Sequence, residues 1–260
     1  MASEKFLLYI DILGFRNLVK DNKDKIVELF DRIEKLPVFT DRDIRTIVFS
    51  DTILCYLKQT PNSKDDVETM LMYLCEACQA LFYHCVQLDI VYRAILTYGE
   101  FEFKEQKYFN SYFGKALIFA HDKEKDIKSI GLFVDKRVTD KYNIFRTIPY
   151  SDEFDFVYPN SDFNVFQYAE LSNFPVDWDR LEGEVMLDLD VKFLKYVKHN
   201  IDSLSDTYIR QKYESVYNLY KKKFAPLIIF LEQNNFDHKA ICPELDWEER
   251  KEEFPRSMYS

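Results

Sequence analysis

At 260 residues, with 47% apolar and 31% charged side chains, the chain is long enough for one large domain or one domain with an extension, and too rich in buriable surface to be disordered over most of its length. Its formal net charge of −10 excludes the basic surface that duplex binding requires, so no nucleic-acid partner is expected, and a triphosphate ligand would need metal ions and a few placed cations. An odd number of cysteines, a start without the basic and apolar regions of a signal peptide, and no run of about twenty apolar residues lead us to expect a cytoplasmic chain with reduced thiols and no membrane span.

The first predicted element is a buried strand over residues 5–12 (KFLLYIDI), ended by Gly14. Residues 17–36 place Leu18, Ile26, Leu29, Phe30 and Ile33 at helical spacing. Residues 45–58 read as two short strands around Ser50-Asp51-Thr52. A second helix is expected over 65–88, then a strand over 90–97 closed by Gly99, an extended segment at 101–103, a helix over 113–124 entered at Gly114, and a strand over 129–134. This order, β-α-β-β-α-β-α-β, predicts an α+β sandwich with helices on a mixed or largely antiparallel sheet. From 142 to 188 the pattern weakens, and strands and long loops are expected. Helices follow over 191–197, 205–222 and 224–233, the last with Pro226 near its start. The charged tail beyond Cys242 is expected to be poorly ordered. The expected division is a catalytic-type domain over 1–185 and a helical extension over 186–260.

Two carboxylates carry the chemistry. Asp11 ends an apolar strand, and Asp51 sits at a hairpin tip. A carboxylate at the end of a buried strand is costly unless it is paired or holds a metal. Two at neighbouring strand ends suit a pair of divalent cations, with the Ile12 carbonyl as a further oxygen donor; a turn-capping role for each aspartate is the competing reading. Arg93 stands in an otherwise apolar strand, where it needs a triphosphate or a salt bridge to Glu100 or another carboxylate. Cys75 and Cys78, followed by His84 and Cys85, read as core residues on an apolar helix stripe rather than zinc ligands. His121 faces either the site or solvent, and Lys221 to Lys223 read as a solvated face.

In order and spacing, YIDILGF, VFSDTI, YRAILTYGE and FGKALIFAHDKE resemble the class III nucleotidyl cyclases, and most of all the bacterial pyrimidine cyclases of the Pycsar anti-phage systems. The resemblance spans about residues 5 to 135. It implies a ferredoxin-like cyclase domain in which Asp11, Asp51 and the Ile12 carbonyl hold two Mg²⁺ or Mn²⁺. It further implies that Arg93 grips the phosphates and that N–H groups from Leu13 through Gly14 to Phe15 cup them. Phe49 would border the substrate, Arg45 near the mouth of the second strand would either contact base or phosphate or, as the favoured reading, stand as a solvated surface arginine, and Lys115 or Lys123 would stand in for a transition-state arginine. Ile47 and Ser111 occupy the places of the purine-reading Lys and Asp, and Ile118 and Asp122 those of the Asn and Arg of adenylyl cyclases. The expected product is a cyclic pyrimidine nucleotide made from UTP or CTP by a homodimer. A purine cyclase and a catalytically silent nucleotide- or partner-binding domain are the alternatives.

Overall fold

The computed structural model describes residues 4–36, 39, 43–58, 63–142, 146–159, 163, 166, 173–177 and 186–249. The chain divides into two units, one formed by Met1–Ile127 with Gly131–Pro159, the other by Lys128–Ile130 with Asn160–Ser260.

The first unit opens with β1 (Glu4–Ile12), whose residues 6–10 are all buried. Gly14 then turns the chain at φ +73, a conformation open to glycine at little cost. The single helix expected over 17–36 is instead two, α1 (Phe15–Asp21) and α2 (Lys23–Lys35). Asn22, with φ −146 and ψ 47, breaks them and donates its N–H to the Leu18 carbonyl at 2.8 Å. The reason is burial: α2 sinks Ile26, Leu29 and Ile33 into the core, whereas α1 buries no residue and has nothing to hold it collinear.

Strands β2 (Ile44–Phe49) and β3 (Thr52–Leu57) form the expected hairpin, with Ser50 at φ +57 supplying the left-handed step in place of a glycine. Helix α3 (Lys64–Gln87) starts at a capping box in which Ser63 and Asp66 satisfy each other's backbone N–H. Its buried stripe includes Leu71, Leu74, Cys78, Leu81 and Cys85, and the five cysteines are free thiols. Strand β4 (Tyr92–Glu100) begins later than the expected 90–97 and does not close at Gly99, because Gly99 is itself in the ladder opposite Lys5. Strands β5 (Glu102–Glu105) and β6 (Asn110–Phe113) make a separate ribbon. Helix α4 (Lys115–Glu124) then leads to β7 (Gly131–Asp135), the short helix α5 (Lys136–Thr139), β8 (Thr147–Pro149) and β9 (Phe154–Val157).

The main sheet runs β2-β3-β1-β4-β7-β9-β8. Among the described residues β4–β7 is its one parallel pairing, the rest being antiparallel. The fold is therefore mixed α+β with a mostly antiparallel sheet, and its β2-β3-β1-β4 portion is the split β-α-β arrangement of ferredoxin-like folds.

In the second unit, α6 (Leu187–Ser203), α7 (Thr207–Lys223) and α8 (Ala225–Gln233) pack around aromatic pairs such as Phe163–Phe224 and Phe193–Tyr220. Helix α6 is longer than the expected 191–197 because Leu187 and Leu189 extend its buried face. The tail beyond Cys242 corrects the expectation of poor order as far as residue 249. Leu245 and Trp247 are buried, and the Trp247 indole N–H donates to the Cys242 carbonyl at 3.1 Å. Residues from 250 onward lie outside the described ones. Among the described residues no helix is long and apolar enough to cross a membrane.

Candidate active site

Antiparallel register aligns two cross-strand rows on one face of the sheet. Ile47, Leu54 and Tyr9 form one row, and Phe49, Thr52 and Asp11 the next. Because side chains alternate along a strand, both rows share a face, and together they make a floor that is apolar at one end and acidic at the other. Helix α4 lies over it with Leu117, Ile118, His121, Asp122 and Glu124, which fall on one helical face. Asp51 from the hairpin tip, Val48, Asn110 and Tyr112 complete the walls of a cavity of about 900 Å³, a volume suited to a nucleotide-sized ligand. Four carboxylates line it (Asp11, Asp51, Asp122, Glu124), and the lining includes neither lysine nor arginine.

Asp11 and Asp51 meet here although they are distant in the chain. The Ile12 N–H donates to the Asp51 carbonyl at 2.8 Å, which fastens the hairpin tip to the end of β1. The Tyr9 phenol reports on both carboxylates. Burial is the largest cause raising its pKa, and the charges of Asp11 and Asp51 push the same way, against a hydrogen bond with Thr52 and the charge of Arg93.

Arg93 continues the acidic row, directly opposite Asp11 in β4, but it does not line the cavity. It is only 3% exposed. Its Nη1 donates to the Ile127 carbonyl at 2.6 Å and its Nη2 to Asp11 Oδ2 at 3.0 Å, and it is ion-paired with Glu124. Of the alternatives open for Arg93 in the sequence, the structure shows the salt bridge to a carboxylate other than Glu100, which pairs with Lys115 at 3.3 Å.

The remaining sequence-predicted residues separate into two groups. Ile47 and Phe49 line the cavity, Phe49 as a 79% exposed rim residue. Ile118, Asp122 and His121 line it as well, with His121 Nδ1 3.4 Å from Asp122 Oδ1. Leu13, Gly14 and Phe15 do not; the Leu13 N–H is spent on the Val91 carbonyl at 2.9 Å. Arg45 sits with its guanidinium 5.1 Å from the centre of the Phe103 ring, outside the lining. Ser111 also lies outside it, with its hydroxyl donating to the Lys104 carbonyl at 3.4 Å, while its neighbours Asn110 and Tyr112 take the cavity wall. Lys115 and Lys123 are outside too, the latter bonded to Glu153. Ile12 is buried and contributes backbone only.

Sequence reading missed Tyr9, Val48, Thr52, Leu54, Leu117, Asn110 and Tyr112 as wall residues. Two-residue steps back from Asp11 and forward from Thr52 point to Tyr9 and Leu54, and helical steps back from Glu124 point to His121 and Leu117. Asn110 and Tyr112 needed the β5–β6 ribbon, of which only an extended segment at 101–103 was predicted.

Among the described residues no group of three or more His, Cys, Asp or Glu side chains is placed to hold a metal ion by itself. The oxygen donors present nevertheless fit Mg²⁺ or Mn²⁺, because such ions are commonly held by one or two carboxylates together with substrate phosphates rather than by an all-protein cage.

No protein-family model and no curated protein matches the chain. Among solved structures it is similar to the guanylyl cyclase Cya2 at 16% identity, covering 60% of this chain and 94% of that one with a TM-score of 0.44. It is similar to the adenylyl cyclase CyaB from P. aeruginosa at 11% identity, covering 61% and 96% with a TM-score of 0.47. A bacterial light-regulated adenylyl cyclase matches at 16% identity, covering 63% and 94% with a TM-score of 0.46. At such identities and scores the chemistry has to be read from this chain's own side chains.

Proposed function

We propose that the chain is a metal-dependent nucleotide cyclase that closes UTP or CTP into a 3′,5′-cyclic monophosphate with release of pyrophosphate. The observation that carries this reading is the placement of Asp11 and Asp51 at one end of a single cavity whose lining has no lysine or arginine. A triphosphate cannot enter an acidic pocket without cations, so the two aspartates serve as ligands of divalent metal. When bound, the metal ions lower the pKa of the ribose 3′-hydroxyl and neutralise phosphate charge. The residues themselves bind and orient. Asp11 and Asp51 fix the phosphate end, and the Ile47–Leu54–Tyr9 row, with Tyr112 and Leu117, offers apolar surface to the base at the other end. The 3′-hydroxyl gives up its proton to solvent water and its oxygen attacks the α-phosphorus in line as the bond to the pyrophosphate oxygen breaks.

The pyrimidine assignment rests on the sequence resemblance and on Ile47, which stands in the cavity wall at the place of the purine-reading Lys, whereas Ser111 lies outside the lining; a purine triphosphate is the alternative substrate. An alarm-signal role in anti-phage defence rests on the resemblance alone. Val48, Phe49 and Ile118, all exposed around the cavity, suit closure by a second copy of the chain, as the resemblance implies. A second reading, a catalytically silent nucleotide-binding domain, is favoured by one observation: Ile118 and Asp122 stand in the cavity wall at the places where adenylyl cyclases carry Asn and Arg.

The test is to incubate the purified chain with each ribonucleoside triphosphate and Mn²⁺ and to identify products by mass spectrometry. One cyclic pyrimidine nucleotide is expected. A product from ATP or GTP alone would move the assignment to a purine. No turnover, with metal-dependent nucleotide binding retained, would establish the silent domain.

A further inference from the structure

The Tyr9 phenol stands where the two ends of the cavity meet. Tyr9 belongs to the apolar row with Ile47 and Leu54, yet it lies one two-residue step, about 7 Å, from Asp11 on the same face. Its hydroxyl is bonded to the side chain of Thr52, the cross-strand partner of Asp11, and the charges of Asp11, Asp51 and Arg93 all reach it. Tyr9 is only 6% exposed, so its ring is fixed in the floor while both side chains of the pair line the cavity. Two hydroxyls hold two protons, and their mutual bond uses one. Among the described residues no further hydrogen bond of either side chain takes the other, so one donor remains for a ligand.

We propose that Tyr9 reads the sugar of the nucleotide: held by Thr52, its hydroxyl hydrogen-bonds the ribose 2′-oxygen and selects ribonucleoside over 2′-deoxyribonucleoside triphosphates. The inference rests on the cyclase reading, which sets the phosphates at Asp11 and Asp51 and the base on Ile47 and Leu54. The ribose must then span the seam between the two rows, where the phenol and Thr52 are the polar groups of the floor. Holding the 2′-oxygen also orients the neighbouring 3′-oxygen for its attack. Tyr9 touches substrate without entering the bond exchange, and Thr52 acts through Tyr9 as a positioning residue. When the 2′-hydroxyl is missing, Thr52 still partners the phenol, so no buried group is orphaned. The discrimination is therefore that of one ordinary hydrogen bond, about three- to tenfold, and not the roughly 10⁴-fold of a site left unpaired.

The experiment measures kcat and KM of the full chain with Mn²⁺ for each ribonucleoside triphosphate and its 2′-deoxy counterpart. It compares wild type, Y9F, T52V and the double variant, with circular dichroism to confirm folding. Wild type is expected to favour the ribo form of whichever triphosphate it turns over by about three- to tenfold in kcat/KM. Y9F is expected to lower turnover of the ribo form by that factor and to leave the 2′-deoxy form at the wild-type level, so that the preference falls to about one. T52V should lose the preference in part, and adding it to Y9F should change the preference no further; T52V decides the matter if Y9F does not fold. A wild type indifferent to the 2′-hydroxyl would overturn the inference while leaving the cyclase reading intact. So would a folded Y9F that keeps the preference or loses turnover of both forms equally. Absence of turnover with every triphosphate would remove the cyclase reading and this inference with it.

Discussion

Gly114 caps the start of the roof helix and Gly99, in β4, lies against Ala116 of that helix, yet the two should respond oppositely to one added methyl group. At Gly114 the backbone has φ +148, and an added Cβ would lie 2.3 Å from the Glu100 carbonyl oxygen and 2.7 Å from the Phe101 Cα. Both obstacles are backbone, so the clash cannot be relieved by rotating a side chain. Holding a non-glycine residue in that region costs about 1–3 kcal/mol, and forcing extra volume into a packed site costs about the same again. For a unit of roughly 150 residues, at about 2–4 °C per kcal/mol, G114A should lower Tm by roughly 5–20 °C. At Gly99 the added Cβ would meet the Ala116 Cβ at 3.6 Å, an ordinary contact. G99A should therefore leave Tm unchanged or raise it by a few degrees, because alanine restricts the unfolded chain, an effect worth about 0.4–1 kcal/mol. Differential scanning calorimetry of both variants checks the pair. A G114A protein melting within a degree of wild type would refute the placement of α4 against β4, and with it the roof of the cavity.

Further predictions follow from the cavity and from its surroundings. D51N should keep Tm within about 3 °C of wild type yet lose at least about a hundredfold in Mn²⁺-dependent turnover, since metal-based stabilisation of phosphate charge is worth several kcal/mol. K115A and K123A should change turnover by less than roughly twofold, and K115A should cost about 0.2–1 kcal/mol, because the Lys115–Glu100 pair is exposed and outside the cavity. Burial pushes the Cys55 thiol up from 9.0 to about 12. A group whose folded pKa lies above its unfolded value contributes fully below the unfolded pKa and loses that contribution as pH rises, so stability should fall between pH 9 and 12. For this thiol the slope is about 1.4 kcal/mol per pH unit. Urea melts of C55A against wild type across that range should show a shallower alkaline decline in the variant, and parallel curves would contradict it.

The split β-α-β order was legible because its strands alternate or run apolar and its helices repeat at their own period. Asp11 and Asp51 were legible because a carboxylate at the end of an apolar strand demands an explanation. What was not legible depends on contacts between distant residues. Ile90 and Val91 are buried and apolar, so they read as strand, but the ladder begins only at Tyr92. The break at Asn22 followed from α1 having no core to pack against, which no local pattern announces. The contacts of Arg93 are made with Ile127 and Glu124, more than thirty residues further on, and with Asp11, which the register sets directly opposite it. Trp247, in a stretch of charges, gave no sign in sequence that it would be buried against Cys242.

Crystals of the chain grown with Mn²⁺ and a non-cyclisable pyrimidine triphosphate analogue, measured at the manganese absorption edge, address the two aspartates themselves. The account predicts anomalous peaks within ligand distance of both the Asp11 and Asp51 carboxylates, with the phosphates on the same ions. Manganese bound elsewhere, or a triphosphate seated away from these side chains, would contradict it.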